Sequence, residues 1–216
     1  MPHDTAVMFD LDGTLADTLA DLAAAGNHAF AAVGHPGYPL SDYRRLVGQG
    51  LDRLVRDGLP HASETQHRRA RAAFLDYYAQ HRYDHTRPYD GIGPLLDQLA
   101  QRHVTTAVMS NKPHEAAVDM VQRVFGPWRF AAVSGHRDGY AVKPDPTAAL
   151  EMAERCGIPP HRWLYLGDTD VDMLTAVAAG FRPVGVTWGF RDAQELRDAG
   201  AVHLIDHPTQ LLPLLD

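Results

Sequence analysis

The stretch MFDLDGTLAD (Met8–Asp17) decides how the rest of this chain is interpreted. Its apolar start is typical of a buried strand, yet two aspartates follow at once, Asp10 and Asp12, and then Gly13. A buried carboxylate costs free energy unless a partner compensates its charge. The stretch therefore predicts either a turn that caps the next helix or a functional site at the end of a strand.

Further strand-like segments follow, and most of them are continuously apolar rather than alternating. Strands that are buried on both faces, as in a parallel sheet covered by helices, show this pattern. Helical patterns lie between them, and two end just before a glycine, Gly157 and Gly180. We therefore expect a doubly wound α/β core. The predicted strands are Thr5–Phe9, Thr105–Ser110, Phe130–Gly135, Trp163–Gly167, Pro183–Thr187 and Val202–Ile205.

One segment interrupts this alternation, because no strand is predicted between Leu15 and Pro88. Amphipathic patches in that segment indicate helices instead. The sequence thus predicts a core formed by residues 1–15 and 87–216, with a small α-helical domain, residues 16–86, inserted after the first strand. The helical patches are Asp17–Val33, Leu40–Val47, Leu51–Leu59 and Ser63–His81.

Composition narrows the possible partners and locations. Hydrophobic residues make up 45% of the 216 residues, as in ordinary globular proteins, and the net charge of -7 argues against a nucleic-acid partner. No apolar run is long enough to span a membrane, so no membrane partner is expected. The single cysteine, Cys156, and the lack of a recognisable signal peptide favour a cytoplasmic location. The sequence leaves open whether the protein is a monomer or a homodimer.

Polar residues of complementary kinds follow the predicted strands, at the edge where open parallel sheets bind ligands. Clustered carboxylates repel one another unless a divalent cation lies among them, and hard oxygen ligands suit Mg²⁺. A carboxylate can attack phosphorus, a second can transfer the proton, and a lysine and a hydroxyl can hold the phosphoryl oxygens. The set therefore predicts phosphoryl-transfer chemistry. Its members are Asp10, Asp12, Ser110, Asn111, Lys112, Lys143, Asp168 and Asp172.

Four motifs in this set resemble those of the haloacid dehalogenase superfamily, in the same order and at suitable intervals. A single DxD pair would be weak evidence, but the ordered set is specific. The helical insert is similar to the first type of cap in that superfamily, so the resemblance covers nearly the whole chain. It implies a Rossmann-like α/β core with a helical cap. The motifs are DLDGT (Asp10–Thr14), SNK (Ser110–Lys112), KPDP (Lys143–Pro146) and GDTDVD (Gly167–Asp172).

The resemblance implies that Asp10 is the nucleophile and also a Mg²⁺ ligand. Asp12 would be the general acid/base, which also offers its backbone carbonyl to the metal. Dehalogenases of the superfamily lack an aspartate at this position, because no leaving alcohol needs a proton, so Asp12 favours ester hydrolysis. Lys143 would offset the charge of Asp10 and of the phosphate. Lys112, in contrast, is expected at the surface or at the start of a helix.

The remaining motif residues are implied to hold the phosphate or the metal. Thr14 and Ser110 would contact the phosphoryl group through their hydroxyls. Asn111 is predicted to contact the phosphate as well, with a role only in shaping its loop as the alternative. Asp168 would be a direct metal ligand, and Asp172 would hold Lys143 or a metal-bound water.

Within the superfamily, the amino-acid sequence most resembles those of phosphoglycolate phosphatases. This resemblance implies 2-phosphoglycolate, a small phosphorylated metabolite, as the substrate. Cap residues are expected to set specificity, and Gly48, Gln49, Gly50 and Arg53 are the candidates for the substrate loop. Other small phosphate esters, pyrophosphate and a sugar phosphomutase reaction are alternatives on the same core. A receiver-like domain that accepts phosphate without turnover is the non-enzymatic alternative.

Overall fold

The computed structural model describes residues 5–215. All six predicted strands are present, each within three residues of its predicted ends. The strands are β1 (Ala6–Phe9), β2 (Ala16–Asp17), β3 (Arg87–Pro88), β4 (Thr106–Pro113), β5 (Ala132–His136), β6 (Trp163–Gly167), β7 (Arg182–Val186) and β8 (His203–Ile205). The helices are α1 (Leu19–Ala31), α2 (Leu40–Leu46), α3 (Leu51–Gly58), α4 (Glu64–His81), α5 (Ile92–Gln101), α6 (His114–Val124), α7 (Thr147–Cys156), α8 (Asp170–Ala179) and α9 (Ala193–Asp198).

Six of the strands form one parallel sheet in the order β5-β4-β1-β6-β7-β8. The chain leaves β1 in one direction through β4 and β5, and then returns to β6 on the other side of β1. In doubly wound sheets, ligands bind where the strand order reverses, beyond the carboxyl ends of the strands. The sheet confirms the predicted fold class, and it places Asp10 and Asp12 at that reversal.

β1 shows why its sequence is continuously apolar. Val7 and Phe9 lie on one face of the sheet, in a hydrophobic core shared with α5 and α6. Ala6 and Met8 lie on the other face, in a core shared with α7 and α8. All four side chains are fully buried, because helices cover both faces. α7 and α8 end just before Gly157 and Gly180, as predicted.

The inserted helices α1–α4, which we call the cap, have a hydrophobic core of their own that includes Phe30, Tyr43, Leu54 and Phe74. The expectation of no strand between Leu15 and Pro88 is wrong, because β2 and β3 pair as a small antiparallel sheet. The two connections between core and cap run side by side there and share backbone hydrogen bonds. Each strand has only two residues, too few for a sequence pattern to reveal.

The predicted domain boundaries remain a prediction, and residues 1–4 and 216 of the predicted core lie outside the described residues. Across residues 5–215, no helix has the length and apolar character needed to cross a membrane.

Candidate active site

The polar residues predicted at the strand ends converge at the carboxyl edge of the sheet. Asp10 follows β1, and its backbone N–H donates to the carbonyl of Leu166 in β6 at 2.9 Å. Residues Ser110–Lys112 lie near the carboxyl end of β4, just before its last residue, and Asp168 follows β6 directly. These five motif residues are at most 6% exposed. The groups that could carry chemistry thus form a buried cluster.

Lys143 lies at the centre of this cluster. Its ammonium donates to Asp10 Oδ1 at 2.7 Å and to Asp172 Oδ1 at 2.6 Å. Burial alone would lower the pKa of Lys143, but the charges of Asp10 and Asp172 outweigh burial and hold that pKa well above its ordinary value. Lys143 is therefore positively charged and offsets part of the negative charge around it.

Asp168 is held by two loops. Its carboxylate accepts hydrogen bonds from the Thr14 hydroxyl and from the backbone N–H of Phe190, both at 2.8 Å. A Cβ atom at either Gly13 or Gly189 would approach Asp168 to 2.2 Å, so the absence of a side chain at both positions makes room for this carboxylate. Sequence reasoning missed Gly189. The rule that loops after parallel strands face one edge is the signal that would have found it.

Asp172 joins this edge to the start of α8. Besides its contact with Lys143, it accepts hydrogen bonds from the backbone N–H of Thr169 at 3.0 Å and from the Thr169 hydroxyl at 2.6 Å. A Cβ atom at Gly167 would lie 2.1 Å from the Asp172 Cβ. The contact with Lys143 is the arrangement that the family resemblance implies, whereas the partnership with Thr169 was not predicted.

The carboxylates fit a hard divalent cation. Oxygens of Asp10, Asp168 and Asp172 all lie within 4.8 Å of one another. Burial is the main cause that raises the pKa of Asp10 to about 7. Burial, followed by the charges of Asp172 and Asp10, raises the pKa of Asp168 well above its usual range. Because Lys143 supplies one positive charge for these carboxylates, a cation with a preference for oxygen ligands, such as Mg²⁺, suits the donor set.

Lys112 is buried, so the expected surface position is wrong, whereas the alternative, the start of a helix, agrees with its place two residues before α6. Its ammonium contacts both carboxylate oxygens of Asp12 at 2.9 Å and lies 4.7 Å from the centre of the Tyr78 ring. The physical reason is that β4 continues through Pro113, which keeps Lys112 on the edge that faces the cap. The charge of Asp12 compensates for the burial of this lysine.

Asn111 connects three segments of the chain. Its side-chain oxygen accepts from the backbone N–H of Lys143 at 2.8 Å, and its amide nitrogen donates to the carbonyl of Gly48 in the cap at 3.1 Å. The neighbouring Ser110 hydroxyl accepts from the backbone N–H of Lys112 at 3.2 Å. The end of β4 therefore positions the lysine loop and the cap loop together.

A cavity of about 220 Å³ lies between the carboxyl edge and the cap. Asp10, Asp12 and Ser110 form its core side, together with Lys112. The cap closes the other side with mostly apolar side chains. These are Leu22, Val47, Leu51, Leu54, Phe74, Leu75 and Tyr78.

The four predicted cap residues divide into two groups. Gly48 and Gly50 line the cavity, whereas Gln49 and Arg53 are absent from its lining within the described part of the chain. Arg53 instead pairs with Asp57, one turn further along α3, at 2.6 Å on the exposed face of that helix. Of these four residues, the structure therefore places the two glycines in the cavity lining.

Two arginines join the cap to the core near Asp168. Arg44, in α2, donates to the carbonyl of Gly189 at 2.6 Å. Arg191 comes from the core and donates to the carbonyls of Arg44 and Val47, the latter at 3.2 Å. Carbonyls at the end of a helix have no partner within the helix, so a buried arginine satisfies them. Sequence reasoning missed Arg191, because nothing in its local sequence distinguishes it from a surface cation.

A doubly wound sheet with a buried aspartate–lysine cluster at its strand reversal, covered by a helical cap, defines a hydrolase of the phosphoryl-transfer class. The chain matches the haloacid dehalogenase-like hydrolase family over residues 7–186 and belongs to that family. The resemblance found in the sequence is thereby confirmed.

Several relatives of this chain are named as phosphatases. It is 32% identical to phosphoglycolate phosphatase 1 of Pseudomonas aeruginosa, over 97% of this chain and 79% of the relative. It is also 32% identical to a phosphoglycolate phosphatase of Vibrio vulnificus, over 97% of this chain and 95% of the relative. A crystal structure from Lactobacillus delbrueckii subsp. bulgaricus, provisionally named a phosphoglycolate phosphatase, has a TM-score of 0.92 at 31% identity and covers 99% of this chain and 98% of its own. The protein is thus a phosphatase.

Proposed function

We propose that this phosphatase hydrolyses 2-phosphoglycolate in a Mg²⁺-dependent reaction that forms an aspartyl-phosphate on Asp10. The observation that carries the proposal is the position of Asp10, which contacts Lys143, lies beside two further carboxylates and lines the cavity. The names of the relatives support the choice of substrate.

In the first step, a carboxylate oxygen of Asp10 attacks phosphorus, the ester P–O bond breaks, and the leaving oxygen takes a proton from Asp12. In the second step, water attacks the aspartyl-phosphate, the P–O bond to Asp10 breaks, and Asp12 takes the proton of the water. Lys143 would offset the negative charge of the Asp10 carboxylate before the attack and the charge of the phosphoryl group on Asp10 afterwards. Asp10 and Asp168 would hold Mg²⁺, with Asp172 beside them. The positive charge of the metal would offset the negative charge of the phosphoryl group.

Other small phosphate esters, pyrophosphate and a sugar phosphomutase reaction remain alternatives on the same residues. Membership in a hydrolase family and the phosphatase relatives argue against the receiver-like role.

A panel of substrates tests the proposal. We expect the highest kcat/KM for 2-phosphoglycolate, compared with glycerol phosphate, hexose 6-phosphate and pyrophosphate, measured as phosphate release with Mg²⁺. Chelation should abolish release, and added Mg²⁺ should restore it. Equal kcat/KM values for 2-phosphoglycolate and hexose 6-phosphate would contradict the substrate, and undiminished release after chelation would contradict the metal.

A further inference from the structure

The proposed reaction steps give no role to Lys112. Only two of the 20 Lys and Arg side chains are lysines, and the structure buries both of them at the carboxyl edge. Lys143 contacts Asp10 and Asp172, deep in the core. Lys112 contacts Asp12 and lines the cavity, whose described lining does not include Lys143. One lysine thus faces the nucleophile, and the other faces the space for the leaving group.

The contact with Asp12 places the Lys112 ammonium beside the position of the leaving group. Asp12 is assigned to protonate the ester oxygen, so the leaving group has to lie beside the Asp12 carboxylate. The Lys112 ammonium is 2.9 Å from both oxygens of that carboxylate. In 2-phosphoglycolate a single methylene separates the ester oxygen from the carboxylate carbon. The substrate carboxylate would therefore lie next to the Lys112 ammonium.

Tyr78 provides a second observation, from the cap side of the cavity. It lines the cavity and is 4% exposed, and its hydroxyl has no hydrogen-bond partner among residues 5–215. Burial raises the pKa of Tyr78 to about 12, so the hydroxyl keeps its proton and can donate. A buried hydroxyl without a partner costs free energy, which an acceptor in the cavity would recover. Its ring lies beside the Lys112 ammonium.

Arg82 is the other cation in the cavity lining, and it is the competing candidate for an acidic group. Its guanidinium pairs with Asp119 of α6 at 3.0 Å. Lys112, in contrast, is the cation in contact with Asp12, the residue that has to meet the leaving group. Proximity to the ester oxygen therefore favours Lys112 for a carboxylate one methylene away.

We propose that Lys112, together with the Tyr78 hydroxyl, binds the substrate carboxylate and selects small phosphorylated acids over uncharged phosphate esters. This inference rests on the proposed function and adds the residues that determine its specificity. On binding, the Lys112 ammonium would move from Asp12 to the substrate carboxylate. Asp12, released from this pair, would then face the ester oxygen and take up from solvent the proton that it gives to that oxygen. An ester without a carboxylate would leave the pair between Lys112 and Asp12 intact.

Kinetics with matched substrates test the selection. Ethyl phosphate carries a methyl group where 2-phosphoglycolate carries its carboxylate, so the ratio of the two kcat/KM values isolates recognition of that group. We expect Lys112→Met to lower this ratio by about 10–100-fold, and Tyr78→Phe by about 3–10-fold, the ranges for charged and neutral hydrogen bonds. Arg68→Met, which removes an exposed cation from α4, should leave the ratio unchanged. If Lys112→Met lowers both kcat/KM values equally, Lys112 only positions Asp12 and the inference is overturned.

A binding measurement on the wild-type protein separates this inference from the proposed function. Because the chain has only two lysines, selective lysine labelling gives two side-chain NMR signals, which Lys112→Arg assigns. We expect 3-phosphonopropionate, which cannot be hydrolysed, to shift the Lys112 signal, and propylphosphonate, which lacks the carboxylate, to leave it in place. Equal shifts with both, or no shift, would overturn the inference. A wild-type enzyme without preference for 2-phosphoglycolate over ethyl phosphate would instead contradict the proposed substrate, whatever the NMR result.

Discussion

The carboxyl edge of the sheet and the cap enclose the same cavity, but different interactions hold them in place. At the edge, buried charges compensate one another, and glycines such as Gly13 and Gly189 give the carboxylates room. The cap presents mostly apolar side chains and contacts the core through a few polar bonds, among them those of Arg44 and Arg191. A change at the edge should therefore act on the reaction itself, whereas a change at the contacts of the cap should act on substrate binding.

Replacing the nucleophile should have the largest effect. In Asp10→Asn, the attacking carboxylate is lost while the shape of the side chain is kept. We therefore expect kcat for phosphate release to fall by at least about 10³-fold, with an unchanged circular dichroism spectrum. Asp76→Asn, which neutralises an exposed carboxylate in α4, is the control. Turnover of Asp10→Asn within tenfold of the wild type would contradict the assignment of the nucleophile.

The pKa of Asp10 predicts how pH and Mg²⁺ together affect stability. The folded protein keeps the Asp10 proton up to a pH of about 7, whereas the unfolded chain releases it near the ordinary value of 3.8. Between these values the folded state binds more protons, so without metal the free energy of unfolding falls as pH rises. Mg²⁺ compensates the charge that appears, and should therefore stabilise the protein more at pH 8 than at pH 5.

Thermal unfolding checks this prediction. At about 100 times its Kd, Mg²⁺ should raise the free energy of unfolding by about 2.7 kcal/mol. For a chain of this size this is a rise in Tm of roughly 5–10 °C, which we expect at pH 8. The increase at pH 5 should be smaller, and Asp10→Asn should reduce the difference between the two pH values. Equal increases at both pH values in the wild type would contradict the prediction.

Filling the space beside Asp168 should have an intermediate effect on the carboxyl edge. In Gly189→Ala the new methyl group would lie 2.2 Å from the Asp168 Cβ, so the carboxylate has to move. We expect the Mg²⁺ concentration for half-maximal activity to rise by about 10–100-fold and the free energy of unfolding to fall by about 1–3 kcal/mol. Gly93→Ala, in α5, is the matched control, because its nearest neighbour would be at 3.5 Å. The same Mg²⁺ requirement in Gly189→Ala as in the wild type would show that the edge adapts.

A change at the contact between cap and core should have the smallest effect. Arg44→Met removes one hydrogen bond to Gly189 from an exposed position. Losing this hydrogen bond should weaken substrate binding by about 0.5–1.5 kcal/mol. We therefore expect KM to rise by about 2–10-fold, with kcat nearly unchanged. Steady-state kinetics, with Arg68→Met as the control, measure it. A larger effect on kcat than on KM would show that this contact acts on the reaction, and the contrast between edge and cap would then fail.

Much of the carboxyl edge was predictable from local pattern. Apolar runs such as Trp163–Gly167 identify buried parallel strands, and the rule for parallel sheets then brings the polar residues after them to one edge. The hydrogen bond between Lys143 and Asp10 spans 133 positions of the chain, yet both residues could be assigned to that edge because each follows a strand. Two-residue strands such as β2 are too short to give a pattern and were missed.

The sequence by itself thus determined the parallel α/β core, the helical insert and the set of aspartates with Lys143, because a local pattern identifies each strand and helix and the polar residues that follow each strand. Only the tertiary structure decided that Lys112 is buried against Asp12, that Arg191 satisfies the carbonyls at the end of α2, and that the cap closes the cavity with apolar side chains. The physical reason is that these contacts join segments far apart in the chain. Lys112 and Asp12 lie in two core segments 100 positions apart, and Arg191 of the core and Val47 of the cap are 144 positions apart. Each contact depends on which face of one segment meets the other. No local pattern specifies that orientation.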